Sequence, residues 1–448
     1  MRLSGKLKAV MLSVLLVVSG LYVMPVQFTK SVVAAEGKGQ SGAAFDQKVI
    51  SRISAERIYG DVHYLSETIG PRVTGTDEEK FTANYIKERL LSYGYDVEVQ
   101  EFSVPDKKVG HLQTENEDEV LVNVPAGSTA TSDEGLTAAL YDAGVGNPAE
   151  FNAEAEGKIA LISRGDLSFQ LKVENAYAAG AVGVLIYNNV DQAGPLNPSI
   201  NDNAPIPVGG ITKVSGEALL EDVVASNGTV TFKVKNIENA TSQNIIAKRT
   251  PEKGTDHEIV HVTAHYDSVP FAPGASDNAS GTATALEIAR VLKSYPIEKE
   301  FRIEFVGAEE IGLVGSRYYV SQLSEDEVER SIANFNMDMV GTSWENATAI
   351  YMNTLDGLPN LVSETAAATA DRIGTPSELV LYQRGSSDHV SFHDAGIPAV
   401  NFIRREPGTA NLEPYYHTPL DTIEHISAER LKEAGDLVGA SVYQLIRK

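Results

Sequence analysis

Residues 258–292 read EIVHVTAHYDSVPFAPGASDNASGTATALEIARVL. Ile259, Val260 and Val262 favour extended chain, so Glu258 to Ala264 is predicted as a strand ending at His265, Tyr266 and Asp267. Gly274 to Gly281 is a tight polar loop, and Thr282 to Leu292 carries apolar residues at helical spacing. Asp277 therefore lies where the helix begins. Strand, polar loop and helix make one unit of a sheet covered by helices. Downstream the alternation continues: Phe301 to Val306, Ile332 to Met337 and Ala399 to Phe402 read as strands, and Gly315 to Leu323, Pro359 to Ala370 and Ala428 to Ile446 as helices. The expected fold class is α/β, a three-layer αβα arrangement around a mixed sheet. In such sheets functional residues gather where strands end.

Upstream, Ile245 to Lys248 reads as a further strand. Ile53 to Ile69 and Glu78 to Leu91 read as helices, the second with Phe81, Tyr85, Ile86, Leu90 and Leu91 at helical spacing and Gly94 as its stop. Val97 to Val104 alternates like a half-buried strand. Between residues 113 and 236 the texture changes to short strands, Gly157 to Ser163, Val182 to Asn188 and Val230 to Val234, among Gly, Pro and Asn clusters. This segment is expected to be a small, mainly β domain inserted into a larger one formed by 46–112 and 237–448. Residues 36–45 are polar and Gly-rich and read as a linker. Before them, Arg2, Lys6 and Lys8 precede an apolar run that stops at Pro25, and Val33, Ala34 and Ala35 are small residues of the kind found at a cleavage site. Ser13, Ser19, Gly20 and Tyr22 interrupt the run, which falls short of the ~20 residues needed to span a membrane. Residues 1–35 are thus expected to be a signal peptide, giving a secreted protein with no membrane attachment after cleavage.

The chain has 61 acidic and 37 basic residues in 448, a net charge of −24, and no cysteine. Phosphate contacts need surplus Lys and Arg, so nucleic acid is excluded as a partner. With no thiolate available, any metal must sit on His, Asp and Glu.

Five such donors fall at strand or loop ends of the α/β unit, in the order His265, Asp277, Glu310, Asp338, His417. Glu309 and Glu310 are adjacent acids, which repel unless a cation or proton intervenes. Asp338 stands between Met337 and Met339, an odd place for an unpaired charge. Imidazole mixed with carboxylate favours zinc over magnesium. Two His and three carboxylates suit two ions, with one carboxylate bridging and an open position for a shared water. Asp277 is the natural bridge.

These residues stand in motifs: His-x-Asp at 265–267, Ser-Asp-Asn-Ala-Ser-Gly at 276–281, Glu-Glu at 309–310, Met-Asp-Met at 337–339 and Tyr-His at 416–417. In order and spacing the chain resembles the secreted bacterial co-catalytic di-zinc aminopeptidases, the extracellular aminopeptidases of bacilli among them. The likeness extends to Gly70 to Gly75 and to Ser387, Asp388, His389 and Phe392. The insert, through Arg164, Gly165, Phe169, Lys172, Ala176, Gly180, Gly183 and Tyr187 to Asn189, is similar to a protease-associated domain, with Asp166, Leu167 and Ser168 where a cysteine-containing segment often stands. The resemblance implies a zinc-exopeptidase fold with two Zn²⁺ per subunit. His265 and Asp338 would hold one ion and Glu310 and His417 the other, with Asp277 between them. Glu309 would be the general base toward a zinc-bridging water, Asp267 would orient His265, and Tyr416 would stabilise the oxyanion. It also implies a cis peptide between Asp277 and Asn278, and supporting hydrogen bonds from Asp388 and His389.

The expected activity is removal of the N-terminal amino acid, with Leu, Arg or Lys accepted, from peptides and oligopeptides with a free N-terminus, by a monomer. Arg384, Arg404 and Arg405 keep a carboxypeptidase or dipeptidase in view, and a non-catalytic receptor on the same scaffold is a further alternative. His63, His111, His257, His261, His393 and His425 fall outside the motifs and read as structural, as do Trp344, Tyr318 and Tyr319.

Overall fold

A computed structural model describes residues 26–27 and 39–447 apart from 201–202 and 255–256. Nearly all of the expected signal segment lies outside the described residues. Among the described residues no helix is long and apolar enough to cross a membrane.

Among the described residues there are two sheets, and the larger has four parallel strands at its centre, in the spatial order Ala399–Arg405, Ser331–Met337, Ile259–His265 and Glu300–Val306. Ala349–Thr354 runs antiparallel on one side, with Glu378–Gln383 and the two-residue Val26–Gln27 beyond it. Thr241–Arg249 and Asp96–Ser103 close the other side. The sheet is mixed, and all four parallel strands end at one edge.

Alternation along Ile259–His265 explains the layers. Val260, Val262 and Ala264 join the main core with residues of the helices Ala55–His63, Asp77–Tyr93, Gly281–Leu292 and Ala428–Ile446. His261 turns to the opposite face, where it meets Tyr319 and Phe392 of the short helices Val314–Ser321 and His389–Asp394. Both faces are covered, which is why this strand is buried at every residue.

The second sheet has the order Glu119–Val120, Lys107–Thr114, Thr229–Ile237, Leu136–Asp142, Ile159–Ser163, Gly183–Tyr187, Val208–Ile211. Its last four strands are parallel, and the helix Phe169–Ala178 lies between two of them in sequence. Lys107–Thr114 straddles the expected boundary at 112/113 and pairs wholly within this sheet. The chain crosses between the sheets twice, side by side, where Val104 N–H donates to the Ala240 carbonyl at 2.9 Å.

Other local expectations differ from the structure. A helix spans Gly39–Ile50 across much of the expected linker, anchored by a buried Val49 and an Asp46–Arg372 ion pair at 2.7 Å. Tertiary packing there overrides a glycine-rich composition. In Asp77–Tyr93 the buried stripe is Thr82, Ala83, Ile86 and Leu90, while Phe81 is 61% and Leu91 44% exposed. Ile86 and Leu90 pack into the main core beside the smaller Thr82 and Ala83, so the buried face is offset from Phe81 and Leu91.

Candidate metal centre

Three of the four parallel strands lead into site residues at the common edge: Ile259–His265 into His265, Glu300–Val306 into Glu309 and Glu310, and Ser331–Met337 into Asp338. Ile259–His265 ends on His265, which is 1% exposed. Its Nε2 lies 3.2 Å from Asp277 Oδ1 and 3.6 Å from Asp338 Oδ1. Asp277 lies in the turn Ala275–Ser280, which leads into Gly281–Leu292, and the Asp277–Asn278 peptide is cis. Asp338 follows Ser331–Met337 and is 7% exposed. His417, at φ 56°, brings its Nε2 to 3.1 Å from Asp277 Oδ2 and 3.1 Å from Glu310 Oε2.

Asp277 thus turns one carboxylate oxygen to each histidine. His265, Asp277 and Asp338 form one group of convergent ligand atoms, and Asp277, Glu310 and His417 another. These separations fit a metal: a tetrahedron with arms of about 2.0–2.2 Å has edges of about 3.3–3.6 Å. Glu310 Oε1 and Asp338 Oδ1 are buried and lack a hydrogen-bond partner, which leaves lone pairs for a cation. The chemistry of the donor set, two imidazoles and three carboxylates, suits zinc.

The crowded acids shift one another. Burial and the adjacent Asp277 push the Glu310 carboxyl up to about 7. Burial also drives Glu309 well above the ordinary range, against the pull of His265. Asp277 goes the other way: burial would raise it, but hydrogen bonds from His265 and His417 hold it below the usual carboxylate range. The His417 imidazole is raised to about 10 by its two carboxylate partners despite the cost of burial. Cations between these carboxylates would replace protons as the compensating charge.

Asp267 does more than face His265. His265 Nδ1 is 3.2 Å from the Asp267 carbonyl and 3.5 Å from its Oδ1. The carboxylate also accepts the N–H groups of Glu309 at 3.1 Å and Glu310 at 3.3 Å, and the Thr74 hydroxyl at 3.0 Å. Tyr416 is 37% exposed and stacks on His417 with ring centroids 3.8 Å apart. Asp388 is buried, its carboxyl pushed up to about 7 by burial, and its charge bears on Glu309. His389 points elsewhere, placing Nε2 2.9 Å from the Arg384 carbonyl.

Three supporting residues escaped sequence reasoning. Arg72, fully buried, donates to the carbonyls of Tyr266, Leu65, Gly70, Pro273 and Gly274, and so ties the end of the His265 strand to the loop before Asp277. Thr74 braces Asp267. Asp421 accepts the N–H groups of Ser276 at 2.7 Å and Asp277 at 3.0 Å. Arg72 and Thr74 lie in the Gly70 to Gly75 segment and Asp421 four residues beyond His417, so proximity to motifs was the only available signal. Arg404 is engaged by Glu433, Ser377 and the Val340 carbonyl, which removes it as a holder of substrate carboxylate. His261 is a buried core histidine, 2.7 Å from Glu304 and 2.9 Å from Ser331 Oγ.

Residues 244–442 match the model of peptidase family M28, and residues 120–219 match the PA domain. The aminopeptidase YwaD of Bacillus subtilis is 52% identical over 395 residues, covering 88% of this chain and 85% of YwaD. The chain belongs to peptidase family M28. The solved structure of BSAP, a zinc aminopeptidase from Bacillus subtilis, superposes with a TM-score of 0.66 at 51% identity, over 88% of this chain and 96% of that one. The aminopeptidase from Aneurinibacillus sp. strain AM-1 gives 0.58 at 39% identity, over 90% and 96%. As an M28 peptidase with an inserted PA domain, the chain has the α/β fold expected from its sequence.

Proposed function

We propose that this M28 aminopeptidase is a secreted, monomeric di-zinc enzyme that removes N-terminal residues from peptides. One observation carries the reading: Asp277 presents Oδ1 to His265 and Oδ2 to His417, at 3.2 and 3.1 Å, so a single carboxylate can serve two ions. His265 and Asp338 would hold one zinc, Glu310 and His417 the other. When bound, two such ions lower the pKa of a shared water and polarise the scissile carbonyl.

The chain's own groups perform the rest. Glu309 takes the proton of the attacking water and returns one to the leaving amine. Asp267 holds the Glu309 and Glu310 backbone and steadies His265. The Tyr416 hydroxyl, raised by burial and by the surrounding carboxylates and so kept protonated, donates to the oxyanion. The acidic lining attracts the substrate's α-ammonium group.

The test is hydrolysis of leucyl, arginyl and lysyl anilides beside their N-acetylated forms, with zinc counted per chain. Two zinc ions and cleavage of the free forms alone are expected; cleavage of a blocked anilide would sink the aminopeptidase reading. Glu309→Gln should keep its zinc and lose roughly 10²–10⁴-fold in turnover.

A further inference from the structure

Gly307 opens the loop that carries Glu309 and Glu310, and it packs on a buried pair. A Cβ built on Gly307 would come within 2.2 Å of Ser242 Oγ and 2.9 Å of Glu79 Oε1. Glu79, 1% exposed, accepts the Ser242 hydroxyl on Oε1 at 2.5 Å and the Gly75 N–H on Oε2 at 2.5 Å. The residue before Gly75 is Thr74, whose hydroxyl is on the Asp267 carboxylate. That carboxylate in turn holds the N–H groups of Glu309 and Glu310. Glu79 therefore meets the loop by two routes, under Gly307 through Ser242 and through Gly75, Thr74 and Asp267. Among the described residues no Lys or Arg forms an ion pair with it, and burial together with the charge of Asp267 pushes its carboxyl up to about 8.

We propose that Glu79 is a positioning residue for catalysis: by clamping Ser242 and Gly75 it fixes the backbone that aims Glu309. The inference rests on the reading of Glu309 as general base. It goes further in placing part of the catalytic geometry on a helix, Asp77–Tyr93, that contributes no group to the metal centre.

Zinc-loaded full-length Glu79→Ala, Glu79→Gln, Thr74→Val and Ser242→Ala variants would be compared for kcat and KM on a free aminoacyl anilide, with zinc content measured alongside. Glu79→Ala and Thr74→Val should lower kcat about 10–100-fold, the usual effect of losing an outer-sphere partner, with KM changed less than about threefold and zinc retained. Glu79→Gln should recover most of the loss, since its carbonyl can accept from Gly75 and its amide can donate to Ser242. Wild-type kcat in Glu79→Ala or Thr74→Val overturns the proposal, and so does a loss explained wholly by missing zinc. If Glu79→Ala does not fold, Thr74→Val and Ser242→Ala decide by the same criterion. Glu309→Gln separates the two readings. An active Glu309→Gln sinks the general-base assignment, whereas an inactive one beside unaffected Thr74 and Ser242 variants sinks only the positioning role.

Discussion

Stripping the protein of metal with a chelator should make its stability fall as pH rises, and zinc should cancel that fall. Glu310 is one source, alongside the other buried carboxyls raised above their ordinary range, Glu79, Glu309 and Asp388. The Glu310 carboxyl goes from an ordinary 4.5 to about 7 in the folded chain. Between those values the folded state binds more protons than the unfolded state, so stability declines as pH increases. At about 1.4 kcal/mol per tenfold change in acid constant, the decline is about 3 kcal/mol for this group. Asp388, buried and raised to about 7, acts in the same direction over the same window. His417, raised to about 10, adds stability below its ordinary 6.5 that is lost as pH climbs toward 10, again the same sign. Asp277, depressed, contributes stability that is lost only below the usual carboxylate range, outside the window. Bound zinc neutralises the carboxylates and displaces the protons, so its own affinity should rise with pH. Urea unfolding followed by circular dichroism at pH 5, 6, 7 and 8, with chelator and with zinc, reads both effects. Metal-free stability that is flat or rising from pH 5 to 7 would refute the account of the carboxylate cluster.

Asp277→Ala should lose zinc and the stability that zinc supplies in one step; undiminished zinc content would show that the bridge is assigned to the wrong residue. Asp421→Ala leaves the buried N–H groups of Ser276 and Asp277 without their acceptor. It should cost about 2–5 kcal/mol in urea unfolding, and an unchanged midpoint would count against its bracing role. Gly315→Ala drives a Cβ to 2.1 Å from the Gly307 carbonyl. A loss of about 1–3 kcal/mol with a lower kcat is expected, and wild-type values for both would mean the loop yields without consequence.

The fold class was legible from residues 258–292 because a β-branched strand, a polar loop and an apolar helix succeed one another there without ambiguity. The five donors were legible as residue types, since their crowding of charge at strand ends invites a cation. Runs such as Ala349–Thr354 and Glu378–Gln383 were not read as strands, because short apolar stretches without a clear period do not declare their structure. Of the apolar residues that periodicity picked out in Asp77–Tyr93, Ile86 and Leu90 are buried and Tyr85 packs against the core, whereas Phe81 and Leu91 are exposed and Thr82 and Ala83 complete the buried face.

What the sequence by itself determined is which chemistry is available: imidazole and carboxylate without thiolate, carried on α/β strand ends. Only the tertiary structure decided how those groups meet. Asp277 and His417 lie 140 positions apart in the chain, and nothing local brings Asp277 Oδ2 to 3.1 Å from His417 Nε2. That separation is set by the parallel strands ending at one edge and by Asp421 and Arg72 holding the loops between them. Spacing along a chain encodes local periodicity, whereas the reach of a carboxylate depends on long-range packing.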